Sequence, residues 1–400
     1  QGAPRCVANM WQVTPLAEPE TLQRDGRWNA PRLGVVRPRA ELAHLNMRMR
    51  GAISTLTVTE QSPLPDRLRS DPLNAGEVEL SVHAVGLNFR DVLNVLGEYP
   101  GDPGPPGGDC AGVVAAVADD EVLRVGESAF GFTNGSLASL SRGTTNLLVP
   151  MPTTLSYEEA CTLPITWSTT HVAFAAARCA KHASVLVHAV AGGVGLVATE
   201  YLAWLQSTTH GTVGQPYKHA VVRAEGIRVA TTSSRNAYAF TMGLTRKLER
   251  RRLSTVLNSL STDFTAVSYA LLGEASYFEE IGKRGVWSLE LASVAHETVR
   301  YDLIAVDMDM LQQSVWMHGV LSLLADRASK SVAHGLPSVT FDFARSVQAA
   351  FRFLQKGRNV GKVVVHISQA AAAAPLTVSS QLITGGTGGL GLLTAGWLAE

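Results

Sequence analysis

The chain has 400 residues, enough for two or three domains, and its apolar (46%) and charged (17%) fractions are those of a globular protein. Lysine plus arginine and aspartate plus glutamate number 34 each, so the formal net charge is zero, which argues against a nucleic-acid-binding protein. Widely spaced cysteines disfavour a metal site or a disulfide framework, and the absence of a signal peptide or an unbroken membrane-length apolar run predicts a cytoplasmic protein without membrane contact.

The first part of the chain is predicted to be mostly β-structure. Val78–Val85 alternates apolar and polar side chains, as in a half-buried strand. Tyr99–Gly112 contains four prolines and several glycines and predicts a loop, after which Val113–Ala118 is apolar. Short strands separated by such loops are typical of a β-rich domain.

From about residue 156 the pattern changes to alternating helices and strands. The predicted helices are Tyr157–Leu163, Ser168–Ala180 and Leu196–Gln206, and the predicted strands are Val185–Val190, Ile227–Thr232, Thr255–Leu257 and Ser276–Ile281. This alternation favours a parallel sheet with helices on both faces.

A further helix (residues 347–357) and the strand Gly361–Ile367 precede an alanine-rich tract that predicts an interdomain linker. The sequence TGGTGGLG at Thr384–Gly391 resembles the Thr-Gly-rich turn of short-chain reductases. Because only nine residues follow Gly391, we expect one reductase followed by the opening of another.

A glycine-rich turn joins the predicted strand Val185–Val190 to an apolar helix. Its glycines would let the backbone approach a pyrophosphate, and the helix N-terminus offers unpaired N–H groups and a favourable dipole. The strand–turn–helix context predicts a dinucleotide site, with an ordinary strand-to-helix turn as the alternative. The residues expected to contact the cofactor are Ala191, Gly192, Gly193, Val194 and Gly195.

The residues at the end of the strand interpreted as the next one, Ile227–Thr232, indicate which dinucleotide is bound. NAD-binding units place a carboxylate there to hold the ribose 2′-hydroxyl. Here the sequence offers Ser233, Ser234 and Arg235 instead. Hydroxyl and guanidinium groups suit a 2′-phosphate, so we predict NADPH as the cofactor, although Arg235 could simply cap a loop.

Several segments, in this order, resemble the enoyl reductase domain of modular polyketide synthases, a branch of the medium-chain reductases related to animal fatty-acid synthase. The likeness covers about Leu22–Ile367. It is carried by RDGRWNAPRL (24–33), NFRDVL (88–93), LPITWSTTHVAF (163–174), VLVHAVAGGVG (185–195), VLNSLS (256–261), EIGKR (280–284) and FRFLQKGRNVGKVVV (351–365). The tail resembles the start of the ketoreductase that follows this domain in such synthases.

The resemblance implies an α/β fold in which a Rossmann-type doubly wound parallel-sheet domain interrupts a GroES-like β-rich substrate domain. The predicted segments are an upstream linker (1–20), the discontinuous GroES-like domain (21–165 and 301–368), the Rossmann-type NADPH-binding domain (166–300), a linker (369–379) and the start of a ketoreductase nucleotide-binding domain (380–400).

The resemblance also implies an NADPH-dependent enoyl reductase that acts on a phosphopantetheine-bound enoyl thioester of an acyl carrier protein domain, beside a ketoreductase domain of the same polypeptide. The residues it assigns are Lys283 as proton donor, Asp307 as its orienting partner, Asn88 facing the nicotinamide or the thioester carbonyl, Tyr99 as a second donor and Thr169 near the nicotinamide. Asn258 is expected at the ligand crevice because it follows a predicted parallel strand. Arg90 and Asp91 are interpreted as a structural ion pair.

Two regions depart from the family. Ser207–Gly226 is polar and interrupted by glycine and proline, and is interpreted as a surface insertion. Between Arg235 and Val256 the chain is shorter than in the family, which predicts the loss of a sheet strand. An active domain that has repacked, a catalytically degenerate structural domain of a synthase or a faulty gene model would each fit this shortening. A quinone-reductase-like oxidoreductase of the same superfamily is a separate alternative.

Overall fold

The computed structural model describes residues 22–24, 27–29, 42–118, 122–224, 230–233, 236–260 and 263–368. The predicted linkers and the predicted ketoreductase segment lie outside these residues. The chain divides into two units, 1–40 and 41–400. In the first unit, β1 (Leu22–Arg24) pairs with β2 (Arg27–Asn29) in an antiparallel hairpin.

The described strands of the second unit are distributed along its whole length. In chain order they are β3 (Ala43–Met47), β4 (Leu56–Glu60), β5 (Glu77–Leu87), β6 (Asp109–Val117), β7 (Ser128–Phe132), β8 (Leu140–Thr144), β9 (Leu148–Pro150), β10 (Ser184–Val187), β11 (Thr208–Val213), β12 (Ala230–Ser233), β13 (Leu253–Asn258), β14 (Leu272–Glu280), β15 (Arg300–Leu303), β16 (Ser338–Asp342) and β17 (Lys362–His366).

The described α-helices lie mostly in the second half of the chain. They are α1 (Leu64–Ser70), α2 (Phe89–Leu96), α3 (Tyr157–Ala160), α4 (Pro164–Ala176), α5 (Gly193–Trp204), α6 (Pro216–Ala224), α7 (Ala237–Leu248), α8 (Asp263–Ala270), α9 (Leu289–Ala295), α10 (Val306–Gln312), α11 (Ser314–Ser329) and α12 (Phe343–Gln355). Within the described part of the chain, no helix combines the length and the apolar character that crossing a bilayer requires.

A mostly antiparallel, seven-stranded sheet forms the β-rich part of the second unit. Its order is β16-β17-β5-β6-β7-β9, and β8 also pairs with β5. The long strand β5 contains the predicted strand Val78–Val85, and its apolar side chains are buried. Because β17 pairs antiparallel with β5, the last described strand returns to the sheet that the first half of the chain builds.

The second large sheet of this unit has six strands, and every strand pairing in it is parallel. Its order is β12-β11-β10-β13-β14-β15. Numbered within the sheet, this is 3-2-1-4-5-6, the order of the Rossmann fold, in which the ligand crevice lies at the carboxyl ends of strands 1 and 4. The predicted fold class, a GroES-like domain with a Rossmann-type parallel sheet, is confirmed.

Alternate residues of the parallel sheet face two separate apolar cores. Val185 and Leu257 pack with side chains of α4, α5, α10 and α11, whereas Leu186 and Val256 pack with side chains of α7, α8 and α9. Each fully buried aliphatic or aromatic side chain contributes roughly 1.5–3 kcal/mol to folding. The period of two along each strand thus holds helices on both faces.

The interpretation of Ser207–Gly226 as a surface insertion is wrong. Its first half is β11, which pairs in parallel with β10, and its second half is α6. The predicted loss of a sheet strand is wrong as well, because the sheet has its full six strands. Polar but β-branched residues misled the prediction, since Thr209 and Thr212 fit a strand and are buried in it.

The predicted domain boundaries stay a prediction. The one placed at residue 300 falls within β15, the edge strand of the parallel sheet, which pairs with β14 over residues 300–303.

Candidate functional site

A cleft of about 570 Å³ opens where the carboxyl ends of the parallel strands face the end of the antiparallel sheet. One wall carries the glycine-rich turn after β10 and the loops after β13 and β14. The opposite wall carries the end of β5 and the starts of β6 and β17. The volume is that of a cleft built for a sizeable small-molecule ligand, and its position at the switch point of strand order is where such folds bind nucleotides.

The glycine-rich turn, residues 191–195, lines this cleft along its whole length. Gly192 is the N-cap of α5. A Cβ on Gly195 would lie 2.5 Å from both the Ala189 carbonyl oxygen and the Val190 Cα, and one on Gly193 would lie 2.8 Å from a methyl group of Thr166. Gly195 is therefore packed so closely against the backbone that a larger residue does not fit there, and the N-terminus of α5 lines the cleft.

A carboxylate with three donors around it lies at the other end of the cleft. Asp307, in the first turn of α10, accepts hydrogen bonds from Lys283 Nζ (2.8 Å to Oδ1) and from Tyr99 Oη (2.5 Å to Oδ2). Arg90 Nε lies 3.3 Å from Oδ2. Three residues that the sequence assigned to the reaction are thus brought together from positions up to 208 residues apart.

Burial and charge act against each other at this carboxylate. Burial alone would raise the pKa of Asp307, but the Lys283 ammonium and the hydrogen bonds from Lys283 and Tyr99 hold that pKa below its ordinary value. Burial raises the pKa of Tyr99, and the bond to Asp307 raises it further. The cluster is therefore an ionised carboxylate that holds one ammonium and one neutral phenol.

The predicted ion pair between Arg90 and Asp91 is wrong. Asp91 lies at the N-terminus of α2, where one carboxylate oxygen accepts from the Asn88 N–H (2.8 Å) and the other from the Gly107 N–H (2.9 Å). Arg90 instead reaches Asp307 and donates to the Pro103 carbonyl (3.0 Å). The neighbours diverge because successive side chains on a helix point in different directions.

Asn88 lines the cleft within a buried polar network. Its Oδ1 accepts from Lys362 Nζ (2.5 Å), and its Nδ2 donates to Asp109 Oδ2 (3.0 Å) and to the Gly86 carbonyl (3.3 Å). Lys362 also donates to Asp109 (2.8 Å). Burial raises the pKa of Asp109, while Lys362 acts to lower it. The amide of Asn88 is thus already engaged by protein groups on both sides.

Lys362 is the residue that sequence reasoning missed. Its side chain is 4% exposed, and the methylene chain runs along the wall of the cleft 3.7 Å from where a Gly193 Cβ would be. The available signal was a lysine inside the otherwise apolar strand segment GKVVVHI, since a charge at such a position is retained only when it has a partner.

The remaining predicted cofactor residues differ in placement. Thr169 lies on α4 and lines the cleft. Asn258 ends β13 as expected, but its buried amide donates to Glu280 Oε2 (2.6 Å) and to the Leu260 carbonyl (2.7 Å), outside the cleft lining. Ser234, Arg235 and the side chain of Ser233 lie outside the described residues.

The strand that follows the cofactor helix is β11, so the residues that bear on dinucleotide choice are those at its end. The segment from Thr212 to Gln215 and Lys218 line the cleft there, and no carboxylate is among them. Lys218 Nζ donates to the Asn359 carbonyl (2.5 Å), which ties α6 to the loop before β17.

Comparison with known proteins defines the class first. Residues 74–181 match the alcohol dehydrogenase GroES-like domain, and together with the six-stranded parallel sheet this is the architecture of the medium-chain reductases. The chain is similar to the phenolphthiocerol synthesis polyketide synthase type I Pks15/1 of Mycobacterium marinum (strain ATCC BAA-535 / M) (31% identity, 96% of this chain, 18% of the relative). It is also similar to the erythronolide synthase EryA2 of Saccharopolyspora erythraea (33% identity, 86% of this chain, 9% of the relative).

Among solved structures, the chain is similar to the CurK enoyl reductase, with 28% identity and a TM-score of 0.74 over 82% of this chain and 100% of that one. These likenesses support the resemblance to an enoyl reductase domain of a modular polyketide synthase that the sequence indicated. The chain spans less than a fifth of the length of the two synthases it matches. The ketoreductase opening stays a prediction.

Proposed function

We propose that the chain is an NADPH-dependent enoyl reductase that reduces the α,β-double bond of a carrier-bound enoyl thioester. One observation carries the proposal. The Lys283–Asp307 pair lies in the same cleft as a glycine-rich turn that opens a helix. A cationic proton donor and a dinucleotide cradle within one cleft are what a reduction by hydride and proton requires.

The glycine-rich turn fits the pyrophosphate of a dinucleotide. Gly195 lets the start of α5 pack directly against the backbone of Ala189 and Val190, and the N–H groups of the first turn of α5 have no intrahelical partners. Thr169 lies on the same cleft wall, where the nicotinamide end would be held.

The end of β11 supports NADPH rather than NADH. A carboxylate that would accept from a ribose 2′-hydroxyl is absent from the described residues there, and Gln215 and the ammonium of Lys218 lie in its place. A lysine ammonium suits a phosphate as a point charge. We therefore propose Lys218 as the principal residue that binds the 2′-phosphate. Ser233, Ser234 and Arg235 remain predicted to contact it as well.

Held at the glycine-rich turn and beside Thr169, NADPH would supply a hydride to the β-carbon of the substrate. As the C–H bond forms there, the electron pair of the double bond shifts toward the thioester carbonyl, and the α-carbon then takes a proton. Lys283 gives that proton from Nζ, and Asp307 holds the ammonium in place while it is charged. Tyr99 donates to the same carboxylate and is the second proton source near it.

The test is oxidation of NADPH in the presence of a crotonyl pantetheine thioester. We expect Lys283→Ala to lower kcat by about 10²–10⁴, the usual contribution of a positioned acid, and to leave the Kd for NADPH within about twofold. Lys330→Ala is the matched control, because that lysine also pairs with an aspartate but is 63% exposed at the C-terminus of α11.

Two outcomes would reject the proposal in favour of the alternatives. Turnover of quinones without thioester reduction would make the protein a quinone-reductase-like oxidoreductase. Absence of thermal stabilisation at saturating NADPH would make it a structural domain of a synthase.

A further inference from the structure

Glu280, the last residue of β14, is a buried carboxylate with both oxygens engaged. It is 3% exposed. Its Oε1 accepts from the Gly282 N–H (2.6 Å), and its Oε2 accepts from Asn258 Nδ2 (2.6 Å). The side chain thus bridges the end of the neighbouring strand β13 and the loop that carries Lys283.

The loop after β14 is wrapped tightly around this carboxylate. A Cβ on Gly282 would lie 2.6 Å from Glu280 Oε1, so residue 282 must be glycine for the carboxylate to approach the backbone this closely. The Ile281 N–H donates to the Asn258 carbonyl (2.9 Å). Both residues before Lys283 are therefore fixed, one by each strand.

The partner of Lys283 is anchored at the same residue. The backbone carbonyl of Glu280 accepts from the Ile304 N–H (2.9 Å), three positions before Asp307. The segment that carries Lys283 and the segment that carries Asp307 are thus both hydrogen-bonded to Glu280 where they leave the sheet.

We propose that Glu280 is a positioning residue that sets Lys283 at its distance from Asp307. This rests on the proposed function, since the role of Lys283 belongs to it. Burial raises the pKa of Glu280 to about 7, and the hydrogen bonds from Asn258 and Gly282 act to lower it, so both bonds favour the charged carboxylate. Glutamine at this position presents one acceptor to two donors and releases one of them.

The kinetic test is a double-mutant cycle on the 400-residue chain. We expect Glu280→Gln to lower kcat roughly 10- to 100-fold, the scale of a displacement of about 1 Å at a reacting group, with the Kd for NADPH changed less than about twofold. Because Glu280 acts through Lys283, the double variant Glu280→Gln/Lys283→Ala should be no slower than Lys283→Ala alone. Multiplicative effects would overturn the proposal.

Glu279→Gln is the matched control. Glu279 is adjacent and fully buried, but its carboxylate has no hydrogen-bond partner among the described residues, so it forms no hydrogen bond to the loop. We expect this variant to keep kcat within about twofold. If Glu280→Gln fails to fold, Gly282→Ala is the substitute, because its Cβ displaces the hydrogen bond between the Gly282 N–H and the Glu280 carboxylate. We expect the same fall in kcat and the same result in the double-mutant cycle.

A readout without turnover separates this proposal from the proposed function. Lysines are reductively methylated with ¹³C, and the Lys283 signal is identified by its loss in Lys283→Ala. We expect the signal in Glu280→Gln to move toward its position in Asp307→Asn and to stay unchanged in Glu279→Gln. An unchanged signal in Glu280→Gln overturns the positioning role, whether or not the thioester is reduced.

Discussion

The buried carboxylate of Glu279 should make the protein less stable as the pH rises. Neither oxygen of this side chain has a hydrogen-bond partner among the residues described. Burial, reinforced by the negative charge of Asp302 in register on the next strand, raises the pKa of Glu279 from 4.5 to about 8, and Arg300 offsets part of this. The folded state therefore holds a proton that the unfolded chain releases between these pH values.

The sign and size of the effect follow from proton linkage. Where the folded state binds more protons, the free energy of unfolding falls with rising pH by about 1.4 kcal/mol per pH unit. The penalty is absent below pH 4.5, reaches roughly 3 kcal/mol at pH 7, and levels off at roughly 4–5 kcal/mol above pH 8. Glu279→Gln removes the titration and should be progressively more stable than the parent across this window.

The assay is urea unfolding of both chains at pH 5, 6, 7 and 8.5. Other groups titrate in the same range, but they are common to both chains, so the difference between the two unfolding free energies isolates Glu279. That difference should widen by several kcal/mol from pH 5 to pH 8.5. A constant offset would show that the pKa of Glu279 is ordinary in the folded state, and the reasoning would be refuted.

Three further substitutions test the cleft. Gly195→Ala places a Cβ 2.5 Å from the Ala189 carbonyl oxygen, so isothermal titration should show at least tenfold weaker NADPH binding; unchanged binding would mean that the turn relaxes freely. Lys218→Ala should raise the Kd for NADPH by about tenfold and leave that for NADH unchanged, because only the former carries the 2′-phosphate; equal losses would contradict a phosphate role. Lys362→Met leaves Asp109 buried without its cation and should lower the free energy of unfolding, measured with urea, by about 3 kcal/mol. Adding Asp109→Asn should restore most of that loss. Additive losses would show that the two residues are not coupled.

Features that depend on local pattern were predictable from the sequence. The glycine-rich turn, the strand before it and the helix after it follow from glycine spacing and apolar periodicity, and the structure has them within a few residues. Partners distant along the chain were not predictable in this way. The pair of Lys283 with Asp307 came from family resemblance. The approach of Arg90 to the same carboxylate joins residues 217 positions apart, which no local pattern reports.

The strand β11 shows why polarity misleads. His210 and Thr212 are polar and suggest a surface segment, yet both are buried in the parallel sheet. The hydroxyl of Thr212 accepts from the Ala189 N–H (3.0 Å) and bonds to His188 Nδ1 (3.1 Å), so it braces the start of the glycine-rich turn. Polar side chains can be buried in a strand when they form hydrogen bonds with backbone groups of a neighbouring turn that would otherwise lack partners.

Because β11 belongs to the sheet, different residues bear on the choice between NADPH and NADH. The sequence derived that prediction from residues after β12, which the strand order places one position further from the turn. The end of β11 lies beside the turn, and Lys218, which lines the cleft near it, is the residue that we propose for the 2′-phosphate. The two rationales separate experimentally, because Lys218→Ala should remove the preference for NADPH over NADH while Arg235→Ala should change it less.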